Sequence, residues 1–249
     1  VTACAPRDAR ARRAADRRSP HSTTAQNAGV RGRDDGTRKR RSSEPPVSHG
    51  QGAEVRDDIA PGGVFPDYEL PDHTKTPRKL SELQGDDPLV LTLARGNYCP
   101  KEHQQHLELA AAYPKIAVAY TQVATIATDD DHAIKEFRAS VGAQWTFMSD
   151  AGRIVQKDLD IQEYTDPEND PMVPHTLVLK PGLVIHSIYN GYWFWGRPSV
   201  VDLWHDLREA SAEIRPDWDL DAPGLRAAWE AGDRRRFHGF DDEPAGKGA

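Results

Sequence analysis

Cysteine is scarce in this chain: Cys4 and Cys99 are its whole complement. Two thiols so far apart offer no disulfide framework, and this usage fits a reducing cytoplasm, the expected location. No run of 18 or more apolar residues occurs, so no segment reads as a membrane span and no membrane partner is expected. No apolar core follows the basic N-terminus, so no secretory signal is predicted. Positive charge is lacking after residue 52. Residues 1–52 hold 12 Lys/Arg and 5 Asp/Glu, which leaves 20 basic and 34 acidic residues for the rest. A folded part with that excess of acid argues against nucleic-acid binding.

Bulky apolar residues are missing from residues 1–52, which are rich in Arg, Ala, Ser, Gly and Asp. Such a segment cannot bury enough surface to offset the entropy of ordering, and is predicted to be disordered. Two readings of it stand. It is a basic tail that touches RNA or acidic lipid, or it is translated from an upstream start in a GC-rich coding sequence, with the natural protein beginning near Val47 or later. Residues 53–214 are expected to form one domain. Residues 215–249 are expected to add an extension with one short helix and a polar tail.

From Pro61 onward the pattern is that of packed structure. Residues 64–70 alternate as an edge strand would, and 71–77 are turn chemistry. The apolar run 88–94 predicts a central strand, followed by a helix from about Cys99 to Tyr113, closed by Pro114. Residues 116–127 predict the next strand. The triplet Asp129, Asp130 and Asp131 caps a helix with Ile134, Phe137 and Val141 on one face; no Gly or Glu stands where a calcium loop needs it. A short strand, 145–148, precedes a helix opened by Ser149 and Asp150, with Ile154, Val155 and Leu159 inward. After a loop at 163–174, strands 176–180 and 183–189 flank the hairpin signal Pro181–Gly182. Ser199 caps a long helix with Val200, Leu203, Trp204, Leu207 and Ala210 buried, and Asp221 caps a last short one. Helices alternating with strands, then a hairpin and a closing helix, predict a three-layer α/β/α arrangement around a central mixed sheet, with a C-terminal helical extension.

Cys99 falls between a central strand and a helix, with Pro100 at the first helical position. Helix-start N–H groups and the positive end of the dipole favour thiolate, the nucleophilic form. A buried inert thiol is the plainer alternative. Cys99, His103 and His106 share one helix face and could ligate zinc or copper. The alternative is that both helix histidines lie on a solvated face. No metal or cofactor is expected. The aromatic run 189–195 could wall an apolar pocket, supply a dimer contact, or simply pack.

Residues 61–72, Leu80-Ser-Glu-Leu83, Pro88-Leu-Val-Leu91, Arg95-Gly96, Cys99-Pro-Lys-Glu102, 147–152, 174–179 and Gly196-Arg197 occur in an order that resembles the thioredoxin superfamily. The resemblance is to its peroxiredoxin-like alkyl hydroperoxide reductase/thiol-specific antioxidant group. It implies a thioredoxin-like fold and a peroxidatic cysteine at Cys99, with Arg197 matching the family's arginine near the last helix. Glu102 orients an arginine, or is a first-turn carboxylate favoured by the helix dipole. Arg95 is a further candidate for stabilising the thiolate.

Backbone and side chains around Gly96, Tyr98 and Pro100, with Pro174 (expected cis) and His175, would form the substrate site. Only through this resemblance does His175 come near the same pocket, as a fourth ligand for a metal held by Cys99, His103 and His106. Two features depart from the family. Gly96 stands where a Thr or Ser is usual, and Val173-Pro174-His175 stands where an arginine is usual and reads like a thioredoxin proline loop. The expected activity is a one-cysteine thiol peroxidase, acting on hydrogen peroxide or organic hydroperoxides and turned over by an external thiol reductant. A homodimer is compatible with the resemblance. The alternative is a non-catalytic thioredoxin-like domain that senses redox state or docks a partner.

Overall fold

The computed structural model describes residues 55–191 and 196–233. The predicted tail at 1–52, most of the aromatic run (192–195) and the end of the polar tail lie outside them. Five strands form one mixed sheet in the order β5-β4-β3-β6-β7: β3 (Leu89–Ala94), β4 (Gln122–Ala127), β5 (Thr146–Ser149), β6 (His175–Lys180) and β7 (Val184–Asn190). The first three run parallel, and β6 and β7 join antiparallel. Every residue of β3 is buried, as expected of a strand covered on both faces. Leu89, Leu91 and Leu93 pack into one core with Phe65, Leu80, Leu159 and Leu177. Val90 and Ala94 pack into the other with Leu109, Phe137, Val178 and Leu203. This is the thioredoxin-like α/β fold, with unequal outer layers. The second core is covered by α2 (Pro100–Ala117), α3 (Asp131–Ser140) and α5 (Val200–Ile214). The first is covered by loops and two short helices, α1 (Leu80–Gln84) and α4 (Ile154–Asp158).

Several boundaries differ from expectation. Residues 64–70 do not form one edge strand. Only β1 (Glu69–Pro71) pairs, with β2 (Pro77–Lys79), and Val64 makes a lone bridge to Val184. Pro66 lacks the N–H a continuous ladder needs. Helix α2 does not stop at Pro114 but carries it inside. The buried positions Leu109, Ala112 and Ile116 hold this turn on the core, and the following strand begins only at Gln122. Asp150 does open α4, its carboxylate accepting the N–H groups of Ile154, Val155 and Gln156 at 2.6, 3.2 and 3.1 Å. Ile154, however, is 58% exposed, and only Val155 and Leu159 face inward. Trp204 is half-exposed rather than buried. The last helix, α6 (Leu225–Glu230), starts after Gly224 rather than at Asp221.

The buried face of α2 is polar for its first two turns. Glu102, Gln105 and His106 precede Leu109, Ala112 and Ile116 on one stripe. Gln105 Nε2–H donates to Thr176 at 2.8 Å. His106 sits wholly inside, with Nδ1 2.7 Å from the Glu102 carbonyl and Nε2 3.1 Å from the Thr125 hydroxyl. Thr125 in turn accepts from the Trp145 indole at 3.0 Å and pairs with Thr92 at 2.7 Å. This pattern assigns the neutral Nδ1–H tautomer, with Nε2 as acceptor. Burial pushes the His106 pKa down to about 4. The unfolded chain therefore binds a proton below about pH 6.5 that the folded one refuses until about pH 4. Stability is lost as pH falls through that window. Urea titrations between pH 4 and 8 are expected to show a steeper acid loss in the native protein than in His106→Gln; parallel curves would contradict the assignment.

Candidate active site

Cys99 is the N-cap of α2, extended in backbone and 4% exposed. Its carbonyl accepts the N–H groups of Glu102 and His103 at 3.1 and 3.3 Å, and its own N–H donates to the Gly96 carbonyl at 3.2 Å. Pro100, which lacks an N–H, occupies the first helical position at no cost in hydrogen bonding.

The loop from Arg95 to Tyr98 is held from three sides. The Asp129 carboxylate accepts the Asn97 N–H at 2.6 Å, and His103 Nε2 lies 2.7 Å from the Asn97 carbonyl. The Thr128 hydroxyl donates to the Arg95 carbonyl at 2.7 Å. Gly96 has φ +132°, and a Cβ there would lie 2.7 Å from Asp129 Oδ1. The family's usual hydroxyl side chain is thus excluded by both backbone and neighbour. Asp129, assigned by sequence to helix capping, faces this loop; the helix cap is Asp130 alone. Burial pushes the Asp129 carboxyl up, against the pull of the Asn97 amide.

Two arginines flank the thiol in different ways. Arg95 Nη1 stands 3.8 Å from Cys99 Sγ. Its Nη2 donates to Glu163 at 3.0 Å and Asp166 at 3.3 Å, while Nε sits 2.8 Å from Glu163 Oε2 as an ion pair without hydrogen-bond alignment. Its guanidinium carbon lies 5.5 Å from the Tyr98 ring centroid, and the Tyr98 hydroxyl donates to Asp166 at 3.0 Å. Arg197 instead pairs with Glu102, the carboxylate 1% and the guanidinium 11% exposed. Burial pushes the Glu102 carboxyl up, and the Arg197 charge opposes that. Gly191 lets this arginine close in: a Cβ there would lie 3.0 Å from the Pro174 carbonyl and 3.3 Å from Arg197 Cγ.

Pro174 therefore sits beside Arg197, whereas His175 turns toward the other core. Its strand partners are Leu93 and Asn190, its Nδ1 lies 2.9 Å from the Val173 carbonyl, and its Nε2 is buried without a partner. The four-residue metal set of Cys99, His103, His106 and His175 is not assembled, because His103, His106 and His175 each serve a separate backbone carbonyl. Among the described residues no group of three or more His, Cys, Asp or Glu is placed to hold a metal. The solvated-face alternative for the two helix histidines fails as well, since His106 is fully buried. Glu163, Asp166, Asp129 and Gln105 were not singled out as site residues from sequence. A loop carrying Asp166-Pro-Glu-Asn169 in a chain that must neutralise a buried arginine was the available signal.

A family model described as the AhpC/TSA family matches residues 61–188, just over half of the chain. The chain belongs to the AhpC/TSA family. The match spans Cys99 and β6 and ends within β7, before Arg197. Among solved structures, peroxidoxin BcpB of Mycobacterium tuberculosis is similar at 21% identity, over 64% of this chain and 97% of that one, with a TM-score of 0.52. A PrxQ mutant of Xylella fastidiosa is 16% identical over 66% and 99%, TM-score 0.51. AhpC of Enterococcus faecalis is 12% identical over 62% and 95%, TM-score 0.53. These are likenesses of fold. No curated protein sequence matches the chain. Membership of the AhpC/TSA family supports thiol peroxidase chemistry in general terms. No helix among the described residues is long and apolar enough to cross a membrane.

Three substitutions test this architecture. Arg197→Ala leaves the Glu102 carboxylate buried and unpaired, and is expected to cost about 3–5 kcal/mol in urea unfolding. Adding Glu102→Gln to that variant should restore part of the loss; an additive pair would mean the two side chains do not interact. Gly96→Ala should cost about 1–3 kcal/mol through backbone strain alone, with contact against Asp129 adding to it; an unchanged midpoint would refute the fitted loop.

Proposed function

We propose that the AhpC/TSA domain is a one-cysteine thiol peroxidase with Cys99 as nucleophile. The observation that carries this reading is the placement of Sγ at the start of α2 with an arginine 3.8 Å away. The fixed cation and the helix N-terminus place positive potential where negative charge develops on the attacked peroxide. The thiolate attacks one peroxide oxygen; an S–O bond forms as the O–O bond breaks. The leaving oxygen takes a proton and departs as water or an alcohol, and sulfur is oxidised to the sulfenic acid. An external thiol condenses with it, releasing water and forming a mixed disulfide. A second thiol then frees Cys99 and departs in a disulfide with the first. Among the described residues Cys99 is the one cysteine, so turnover is assigned to an external thiol reductant, in keeping with a reducing cytoplasm.

Arg95 donates toward the developing oxygen charge, in the manner of an oxyanion site. Arg197 acts through Glu102 as a positioning residue for the first turn of α2, and Pro174 shapes the wall beside it. Gly96 and Tyr98 present the loop backbone to substrate. His175 is assigned to packing on the far side of the sheet. A dimer is not needed for this chemistry.

A second reading, a non-catalytic redox sensor, is favoured by the burial of Cys99 and the missing hydroxyl at position 96. Peroxide treatment of the full chain with a sulfenic-acid trap separates the two. Quantitative trapping at Cys99 within seconds, multiple turnovers with added thiol, loss of both in Cys99→Ser, and a rate about 10²-fold lower in Arg95→Met are expected. Trapping without thiol-dependent turnover would leave the sensor; no trapping over many minutes would end both readings.

A further inference from the structure

The far end of α2 carries a second feature. From Cys99 to Lys115 the helix advances about 24 Å, so this region is remote from the thiol. Here α2, α5 and a 3-10 turn, Pro216–Trp218, enclose a groove of about 590 Å³, a volume ordinary for small-molecule sites. Its floor is apolar, built on Ile116 and Leu207, and Trp204, Tyr120 and Trp218 line it. Two cations also line it, Lys115 and Arg208; among the described side chains that line it none is acidic, while Asp86 and Asp87 line the adjoining hollow beyond Tyr120 and Trp218. Among the described residues neither cation has a carboxylate within ion-pair distance; Lys115 Nζ lies over the Trp204 ring, 5.3 Å from its centroid.

One wall is held under strain. Tyr120 has φ +53°, the left-handed region that glycine or asparagine enters far more easily. It stands 56% exposed with its ring 5.4 Å from that of Trp218. The left-handed state closes α2: the Tyr120 N–H donates to the Ala117 carbonyl at 3.1 Å and the Thr121 N–H to the Ile116 carbonyl at 3.3 Å, a Schellman ending that holds the exposed tyrosine ring beside Trp218 at a position glycine or asparagine would fill with less strain.

We propose that this groove binds an amphipathic organic anion: a carboxylate on an unbranched apolar chain. The chain would lie on Ile116 and Leu207 between the aromatic rings, with the carboxylate received by Lys115 and Arg208. The class follows from charge complementarity: two cations with no carboxylate in ion-pair distance among the described residues border an apolar slot.

Calorimetric titration of the full chain with decanoate tests this, with decan-1-ol as the neutral probe of equal chain length. Saturable one-to-one binding of decanoate is expected, at least tenfold tighter than decan-1-ol. The double substitution Lys115→Gln with Arg208→Gln should weaken it about tenfold while leaving the reaction of Cys99 with peroxide unchanged. Tyr120→Asn should keep or raise the melting temperature, by relieving strain, and still weaken decanoate. That pairing is one a purely structural tyrosine would not give, and it serves if the double variant fails to fold. Absence of saturation below the micellar concentration of decanoate would overturn the proposal. So would equal affinity for the alcohol, or a concentration-dependent dimer in light scattering that decanoate does not dissociate, which would assign the groove to a second copy of the chain.

Discussion

Everything at the thiol depends on how the first two turns of α2 are fastened to the sheet. Apolar side chains would hold the helix down but allow it to slide or roll, because dispersion contacts are non-directional. Here the fastening is polar: Gln105 to Thr176 on β6, and His106 to Thr92 on β3 and Thr125 on β4. Three adjacent central strands are thereby tied to one helix face by bonds that tolerate little displacement. Each group is buried, so each bond left unmade would carry the full desolvation penalty. The register of α2 is consequently set by direction as well as by fit, and Cys99, as its N-cap, inherits that register.

The charged groups around the loop form two separate units. Arg95 belongs with Glu163, Asp166 and Tyr98, on a loop that crosses above the cysteine. Arg197 belongs with Glu102, under the helix start. The separation explains how the domain can keep one guanidinium at the sulfur while the other neutralises a carboxylate that burial would otherwise drive toward its protonated form. Both arginines read from the sequence lie at the start of α2, Arg95 with Nη1 3.8 Å from the sulfur and Arg197 on Glu102.

Most of the sheet was legible because strand and helix periodicities differ and turn residues separate them. The β3 run, the Pro181–Gly182 hairpin and the Ser199 cap fall where expected. Errors gathered where a local rule met a tertiary demand. Pro114 reads as a stop, yet the stripe continuing to Ile116 holds the turn in place. A solvated face is one of the two readings of His103 and His106, because such side chains are seldom buried, yet Glu102, Gln105 and His106 all lie inside. Their spacing of three and one, continued by Leu109 and Ala112, already matched a buried stripe; residue type obscured what position showed. Cys99 was legible from its junction of strand, turn and proline. Its surroundings were not, because Glu163, Asp166 and Asp129 reach it from loops whose approach no local pattern encodes.

The fitted contact between Gly96 and Asp129 also bears on how such a site can change over generations. A hydroxyl-bearing side chain at position 96 cannot be admitted while the carboxylate fills that space, and the carboxylate in turn secures the Asn97 amide. The two positions are therefore epistatic. A lineage passing between this arrangement and one with the hydroxyl must first give up the acid, then reshape the backbone, and only last gain the new side chain. Losing the carboxylate alone leaves the Asn97 amide without this acceptor and gains no hydroxyl at position 96.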